Sequence, residues 1–122
     1  MARELKVTAT VEWPMVAGQQ AMKIPLAVAL TYEEAVAIEN KYASPVTDEA
    51  VTLPMTTAKF LLVQCTGENA SIKINGGGAI PITKTVGTTG GFAMVWSNDG
   101  AITALSVTLA AAPATVTILA FA

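Results

Sequence analysis

The sequence contains no histidine and only one cysteine, Cys65. Without histidine the chain cannot assemble a Ser-His-Asp or Cys-His relay, and it lacks the commonest side-chain ligand of transition metals. A lone cysteine cannot form an intrachain disulfide, as is usual for proteins of a reducing cytoplasm. Because Cys65 follows the apolar run at residues 60–63, the sequence predicts a small buried hydrophobe there and not a nucleophile.

Charge is also scarce in this chain. Charged side chains make up 13% of the 122 residues, and the formal net charge is −2. A nucleic-acid-binding protein needs a basic face to neutralise phosphates, so the composition argues against that class. Beyond Lys84 the only charged side chain is Asp99. Either serine, threonine and glycine keep that half soluble in a monomer, or a partner covers part of it; we expect the second.

The remaining polar residues do not form a known catalytic or binding motif. The carboxylate pairs at residues 33–34 and 48–49 lack the spacing of a calcium loop, and we expect solvated loop side chains. The glycines at residues 76–78 lack the Gly-Lys-Ser/Thr of a phosphate loop. We therefore predict that the protein is not an enzyme, with no catalytic residue, no cofactor and no metal.

One uncharged window, residues 101–122, is long enough to cross a bilayer, in which about 20 apolar residues suffice. Hydroxyl side chains recur through this window and Pro113 interrupts it, so we predict no membrane span. At the other end, Arg3, Glu4 and Lys6 follow Met1 without an apolar stretch, so we expect no secretory signal.

What the sequence does contain is alternation of apolar and polar residues. Residues 4–13 and 101–109 alternate with period two, as half-buried antiparallel strands do. Further short segments follow at similar spacing, including a central strand at residues 59–65 and a pair at 70–74 and 80–86. We predict an all-β fold: a single-domain antiparallel β-sandwich over residues 1–122, with residues 1–3 as a short N-terminal arm.

Several local signals refine this prediction. Pro25 places its strand at an edge or at a bulge. Residues 31–42 carry both a helical capping box and a period-two pattern, and we choose the strand. Residues 44–49 are predicted as a loop. Asn75-Gly76 and Asp99-Gly100 are hairpin signals, because glycine accepts the positive φ of a primed turn. The predicted core comprises Leu5, Val7, Val11, Phe60, Leu62, Ile72, Ile74, Leu105, Val107 and Ile118.

The segment at residues 92–96 is apolar on both faces of its predicted strand. Phe92, Met94 and Trp96 share one face, and Ala93 and Val95 share the other. If one face joins the core, the other needs cover, and aromatic and methionine side chains are enriched at interface cores. We predict an interface. Its residues are Phe92, Met94, Trp96, Gly90, Gly91 and Arg3.

The pattern over the second half of the chain resembles that of small accessory structural proteins of tailed bacteriophage virions. The similarity lies in the runs at residues 60–69, 71–77, 90–96, 102–108 and 114–120, with the N-terminal strand a weaker match. It consists of alternating isoleucine, threonine, alanine and glycine and brings no functional residue with it.

Within that group the resemblance points to capsid decoration, or cement, proteins. It implies a jelly-roll-like sandwich that binds the outside of the assembled shell as a dimer or trimer. The implied partners are the major capsid protein and other copies of the chain, without nucleic acid or membrane. The implied location is the virion, after synthesis in the host cytoplasm. The alternatives are a tail, neck or fibre-associated subunit, and a carbohydrate-binding sandwich in which Trp13, Tyr32 and Tyr42 form the platform.

Overall fold

The computed structural model of the protein describes residues 2–13, 22–83, 91–97 and 101–122. These residues form ten β-strands and no helix, so the predicted all-β class is confirmed. The strands are β1 (Arg3–Trp13), β2 (Met22–Tyr32), β3 (Ala35–Tyr42), β4 (Val46–Val51), β5 (Phe60–Thr66), β6 (Ala70–Ile74), β7 (Ile80–Ile82), β8 (Gly91–Trp96), β9 (Leu105–Leu109) and β10 (Ala114–Phe121).

The chain divides into two compact units, Met1–Glu33 and Glu34–Ala122. The first holds an antiparallel hairpin of β1 and β2, and the second holds the other eight strands. The organisation as one domain over residues 1–122 stays a prediction. Arg3 is the first residue of β1, so at that position the predicted arm is strand.

The hairpin runs in register from Arg3 opposite Tyr32 to Trp13 opposite Met22. Pro25 lies in β2 opposite Thr10, and in a two-stranded sheet its strand is an edge, as predicted. Of the predicted core residues in β1, Leu5 and Val7 are half-buried instead of buried, and the side chain of Val11 lies outside the described part.

The second unit is a sandwich of two four-stranded antiparallel sheets, with strand orders β3-β10-β5-β8 and β4-β9-β6-β7. Four of its pairings are nested: β3 with β10, β4 with β9, β5 with β8 and β6 with β7. The strands of this unit thus pair in the order of one long hairpin whose turn lies between β6 and β7. Pairing of β10 with β5 and of β9 with β6 then closes the two sheets.

The core lies between these sheets and follows the period of two. Leu105, Val107 and Leu109 of β9 are buried, while Ser106 and Thr108 between them are half-buried. Alternation in β10 is equally regular over eight residues. The two sheets are held together by apolar burial, which stabilises a fold by about 25 cal/mol for each Å² removed from water. The predicted core residues that are buried are Phe60, Ile72, Leu105, Val107 and Ile118.

Two predicted core residues differ from this pattern. Ile74 is half-buried and packs against the core cluster. Leu62 was predicted on the wrong face, because its neighbours Leu61 and Val63 occupy the core and successive side chains of a strand point to opposite faces. A run of consecutive apolar residues does not specify which parity is inward.

The predicted hairpin at residues 98–100 is also wrong. Those residues lie outside the described part, but β8 and β9, which they connect, belong to different sheets. β9 and β10 likewise lie in different sheets. Instead of pairing with β8, β9 pairs with β4 and β6, and Ile102 before it forms a bridge to Ala58.

Of the three remaining local predictions, two are confirmed and one is wrong. The strand over residues 31–42 is confirmed, with a break at Glu33 and Glu34 between β2 and β3. The loop over residues 44–49 is wrong, because β4 begins at Val46 and accommodates Asp48, at φ 47°, in a bulge. The hairpin at Asn75-Gly76 is confirmed, since these residues join β6 to β7 with φ values of 52° and 71°.

Candidate functional site: the outer face of one sheet

The side of the β3-β10-β5-β8 sheet that points away from the other sheet is apolar over most of its width. We call it the outer face. Register places its side chains in four cross-strand rows. They are Ala35, Phe121, Phe60 and Trp96; Ala37, Leu119, Leu62 and Met94; Glu39, Thr117, Gln64 and Phe92; and Lys41, Thr115 and Thr66. The last two rows are mainly polar, whereas the first two, with Phe92 beside them on β8, form a continuous apolar strip.

The large side chains of the strip are most exposed to solvent along β8. Phe92 is 62% exposed and Trp96 is 53% exposed, whereas Met94 between them is half-buried. On the opposite face of the same strand, Ala93 and Val95 pack against the core. The predicted parity of this strand is therefore confirmed, and the face predicted as an interface is the outer one.

An aromatic pair, Phe60 and Phe121, lies beside Trp96 in the first row. The rings of Phe60 and Phe121 have centroids 5.9 Å apart and planes inclined at 71°, an edge-to-face arrangement. Phe60 is 2% exposed although it belongs to neither the core cluster nor the inward parity of β5. The sequence predicted Phe60 as core but did not identify Leu119 and Phe121 as outer-face residues. The signal was available, because residues 118–121 are apolar on both parities.

Charge on the outer face is confined to one edge. Among its described positions Glu39 and Lys41 are charged, and both lie on β3, at the edge remote from β8. The Glu39 carboxylate is 3.8 Å from the Lys41 ammonium. The face can therefore offer dispersion and hydrophobic contact to a partner, together with the amide of Gln64, but no strong electrostatic recognition.

Of the other predicted interface residues, Gly91 lies in this sheet but not on its outer face. Gly91 begins β8 on the core parity, where a Cβ atom would overlap the backbone of Thr83. Glycine is thus needed there for close backbone approach. Gly90 lies outside the described residues, and Arg3 is an exposed residue of the first unit. Tyr32 and Tyr42, proposed above as part of a carbohydrate platform, are each half-buried.

Cys65 is buried, as predicted, on the inward face of β5. Its Sγ atom donates a hydrogen bond to the backbone oxygen of Glu68 at 3.2 Å. Burial raises the pKa of the Cys65 thiol, and the nearby Glu68 carboxylate raises it further, against the opposing effect of that hydrogen bond. The thiol is therefore held in its protonated, unreactive form.

The carboxylates considered as cation ligands are dispersed or paired. Asp48 lies 2.9 Å from the ammonium of Lys73, and the hydroxyl of Thr108 donates to it at 3.4 Å. The bond with Lys73 lowers the pKa of Asp48 below its usual value. Across the described ranges, no three His, Cys, Asp or Glu side chains converge as metal ligands.

An open cleft of about 400 Å³ lies at one end of the sandwich. Lys41, Tyr42, Thr66 and Gly67 contribute to its walls, together with the segment that enters β10. Burial raises the pKa of the Tyr42 phenol, so the hydroxyl stays protonated at neutral pH. The lining thus offers one ammonium, of Lys41, and three hydroxyls, of Tyr42, Thr66 and Thr115.

Comparison with protein-family models, with curated proteins and with solved structures gives no match for this chain. The resemblance to phage structural proteins therefore stays a prediction, and any function must be argued from the chain's own geometry. Within the described residues, no helix has the length and apolar character needed to cross a membrane.

Proposed function

We propose that this chain is a non-enzymatic structural subunit of a tailed-phage virion, most specifically a capsid decoration protein. In this proposal it binds the outside of the assembled shell through its outer face and stabilises that shell. The observation that carries the proposal is the apolar strip along β8, in which Phe92 and Trp96 remain 62% and 53% exposed. Contiguous exposed apolar surface marks interaction sites, and aromatic and methionine residues are enriched in the cores of interfaces.

We propose further that the sandwich is a jelly roll. The nested pairing of β3 to β6 with β10 to β7 supports it, because a jelly roll is a long antiparallel hairpin wrapped into two four-stranded sheets. That architecture recurs in viral capsid proteins and in lectins. It is compatible with the proposed function and does not by itself select it.

A subunit of this kind acts through mass action. A protein that binds the assembled shell and not its separated parts shifts the equilibrium toward assembly. Many copies with modest individual affinity then act together on one particle. The apolar strip suits such a role, because apolar burial depends weakly on salt, whereas ion pairs are screened.

The direct test is where the purified protein binds. It should sediment or band with expanded capsids from the phage that encodes it, and the variant Trp96→Glu should lose most of that binding. Ala79→Glu is the matched control, because it adds the same charge at an exposed position in the turn between β6 and β7, in the other sheet. Binding to tails alone would transfer the role to a tail or neck subunit, and binding to neither particle would contradict the proposal.

A further inference from the structure

The four edge strands of the sandwich differ in how they are protected against pairing with another chain. An unprotected edge presents free backbone N–H and C=O groups, and proteins usually blunt it with charge, proline or a bulge. β3 carries Glu39 and Lys41. β4 carries the bulge at Asp48. β7 is three residues long with Pro81 at its centre. β8 contains neither a charged residue nor proline, and its six residues keep a regular register with β5.

The backbone of β8 also has a defined side that faces away from β5. The N–H of Ser97 donates to the carbonyl of Lys59 at 2.7 Å, so this opposed pair is of the hydrogen-bonded type. Hydrogen-bonded and non-hydrogen-bonded pairs alternate along an antiparallel ladder. Trp96, Met94 and Phe92 therefore occupy the non-hydrogen-bonded positions, with their N–H and C=O groups directed away from β5. Throughout the described ranges, β5 is the one strand to which β8 is hydrogen-bonded.

We propose that β8 pairs antiparallel with β8 of a second copy of the chain, about a two-fold axis at Met94. This register places Met94 opposite Met94 of the second copy and Phe92 opposite the second copy's Trp96. Met94, Phe92 and Trp96 supply outward N–H and C=O groups, so these opposed pairs are hydrogen-bonded. Ala93 opposite the second copy's Val95 forms the non-hydrogen-bonded pair between them. The two β3-β10-β5-β8 sheets then become one continuous eight-stranded sheet.

A second copy fits this edge better than an unrelated strand for two reasons. The segment is self-complementary, because its two aromatic residues are equidistant from Met94 and meet each other across the axis, as a two-fold interface requires. Aromatic cross-strand pairs add to the stability of such a ladder. The second reason is that β8 has no charged residue and so cannot form an ion pair with a charged partner strand. Pairing joins the two outer faces edge to edge into one apolar surface of twice the width.

The inference deepens the proposed function by naming the unit that docks, and the two can fail separately. Dimers that do not bind capsids would refute the function alone. Monomers or trimers that bind capsids would refute the β8 pairing alone. Sedimentation equilibrium of the full chain should give a dimer.

Engineered cysteines test the register. Met94→Cys should yield a disulfide-linked dimer under mild oxidation, because opposed residues have Cα atoms about 5.5 Å apart, within disulfide reach. Phe92→Cys is the matched control. In this register residue 92 and residue 92 of the second copy are offset by four residues along the strand, which is roughly 13 Å. Equal cross-linking of both variants, or of neither, would overturn the register.

Proline provides the second test. Met94→Pro removes an N–H that points away from β5, so the hydrogen bonds between β8 and β5 are kept. The dimer, however, loses the two hydrogen bonds of the opposed Met94 pair, and the proline rings clash with the facing strands. We expect dimerisation to weaken by more than about tenfold, which corresponds to about 1.4 kcal/mol. Ala93→Pro should instead disrupt folding, because that N–H points toward β5. A Met94→Pro protein that is folded and still dimeric would refute the proposal.

Discussion

Asn75 and Thr103 are joined by two hydrogen bonds through a single oxygen. The Oδ1 atom of Asn75 accepts from the Thr103 backbone N–H at 2.9 Å and from its hydroxyl at 3.0 Å. The same oxygen accepts from the N–H of Ala104 at 3.0 Å, and the Asn75 amide donates to the carbonyl of Ala101 at 2.7 Å. One side chain thus ties the turn of the long hairpin to the segment that leads into β9.

Removing that side chain should destabilise the sandwich. Asn75→Gly keeps the positive φ without strain and loses the four bonds, so we expect a loss of about 1–3 kcal/mol in the free energy of unfolding. Asn75→Ala should lose more, because alanine, unlike glycine or a locally hydrogen-bonded asparagine, adopts the left-handed region at a cost of about 1–2 kcal/mol. Urea denaturation measures both. An Asn75→Gly protein as stable as the wild type would show that these bonds carry no net stability.

Core and outer-face leucines should respond differently to truncation. Leu105 is 2% exposed between the sheets, and Leu105→Ala should cost about 2–5 kcal/mol. Leu62→Ala, on the half-buried outer face, should cost clearly less, because less apolar surface leaves water there when the monomer folds. Chemical denaturation of monomeric protein at low concentration provides the comparison. Equal losses would mean that the outer face is as deeply packed as the core.

Glycine at the start of β8 should be required for folding. A Cβ atom at Gly91 would overlap the Thr83 backbone, so Gly91→Ala should cost roughly 1–3 kcal/mol through overpacking. Gly78→Ala is the control, because a Cβ atom there meets nothing within 4 Å. Thermal unfolding should show a lower melting temperature for the first variant alone. Unchanged melting with lost oligomerisation would instead assign Gly91 to the interface.

The Asp48–Lys73 pair should make stability depend on acid pH. The pKa of Asp48 is lowered in the folded protein, so its contribution is present above the unfolded pKa of about 3.9 and disappears as the pH falls through the folded value. Asp48→Asn tolerates the same backbone conformation, which makes it the matched variant. The stability difference between the two proteins should be constant at pH 5–8 and vanish at lower pH. A difference that grows on acidification would contradict this.

Cys65 should produce the opposite trend in alkali. Its pKa is raised in the folded state, so its stability contribution is complete below the unfolded pKa of about 8.5 and is lost as the pH rises from there through the folded-state pKa. Cys65→Ala should remove this alkaline loss. In the native protein the thiol should react with an aromatic disulfide reagent only at the rate of unfolding. Rapid modification of folded protein would show an accessible thiol.

The fold class could be predicted from sequence because period-two alternation is local. Residues 105–109 and 114–121 alternate so regularly that their burial follows directly from parity. Strand pairing could not be predicted, because it depends on partners distant along the chain. Asp99-Gly100 favours a tight turn, yet β8 and β9 pair with different sheets.

Half of the candidate site was predictable for the same reason. Phe92, Met94 and Trp96 share a parity opposite to the core residues Ala93 and Val95, so one exposed apolar face followed from the sequence. The neighbours of that face did not, because Leu62 and Leu119 become adjacent only when β5 and β10 pair. The apolar run at residues 60–63 gave no parity signal for Leu62, whereas Leu119 shares the parity of Thr115 and Thr117.

The temperature at which capsids release their DNA tests the central claim most directly. Shells purified without this protein should release DNA at a lower temperature than complete particles, and added wild-type protein should restore the difference. Ala79→Glu should restore it as well, whereas Trp96→Glu, folded by circular dichroism, should not. Shells that are equally stable with and without the wild-type protein would contradict the account.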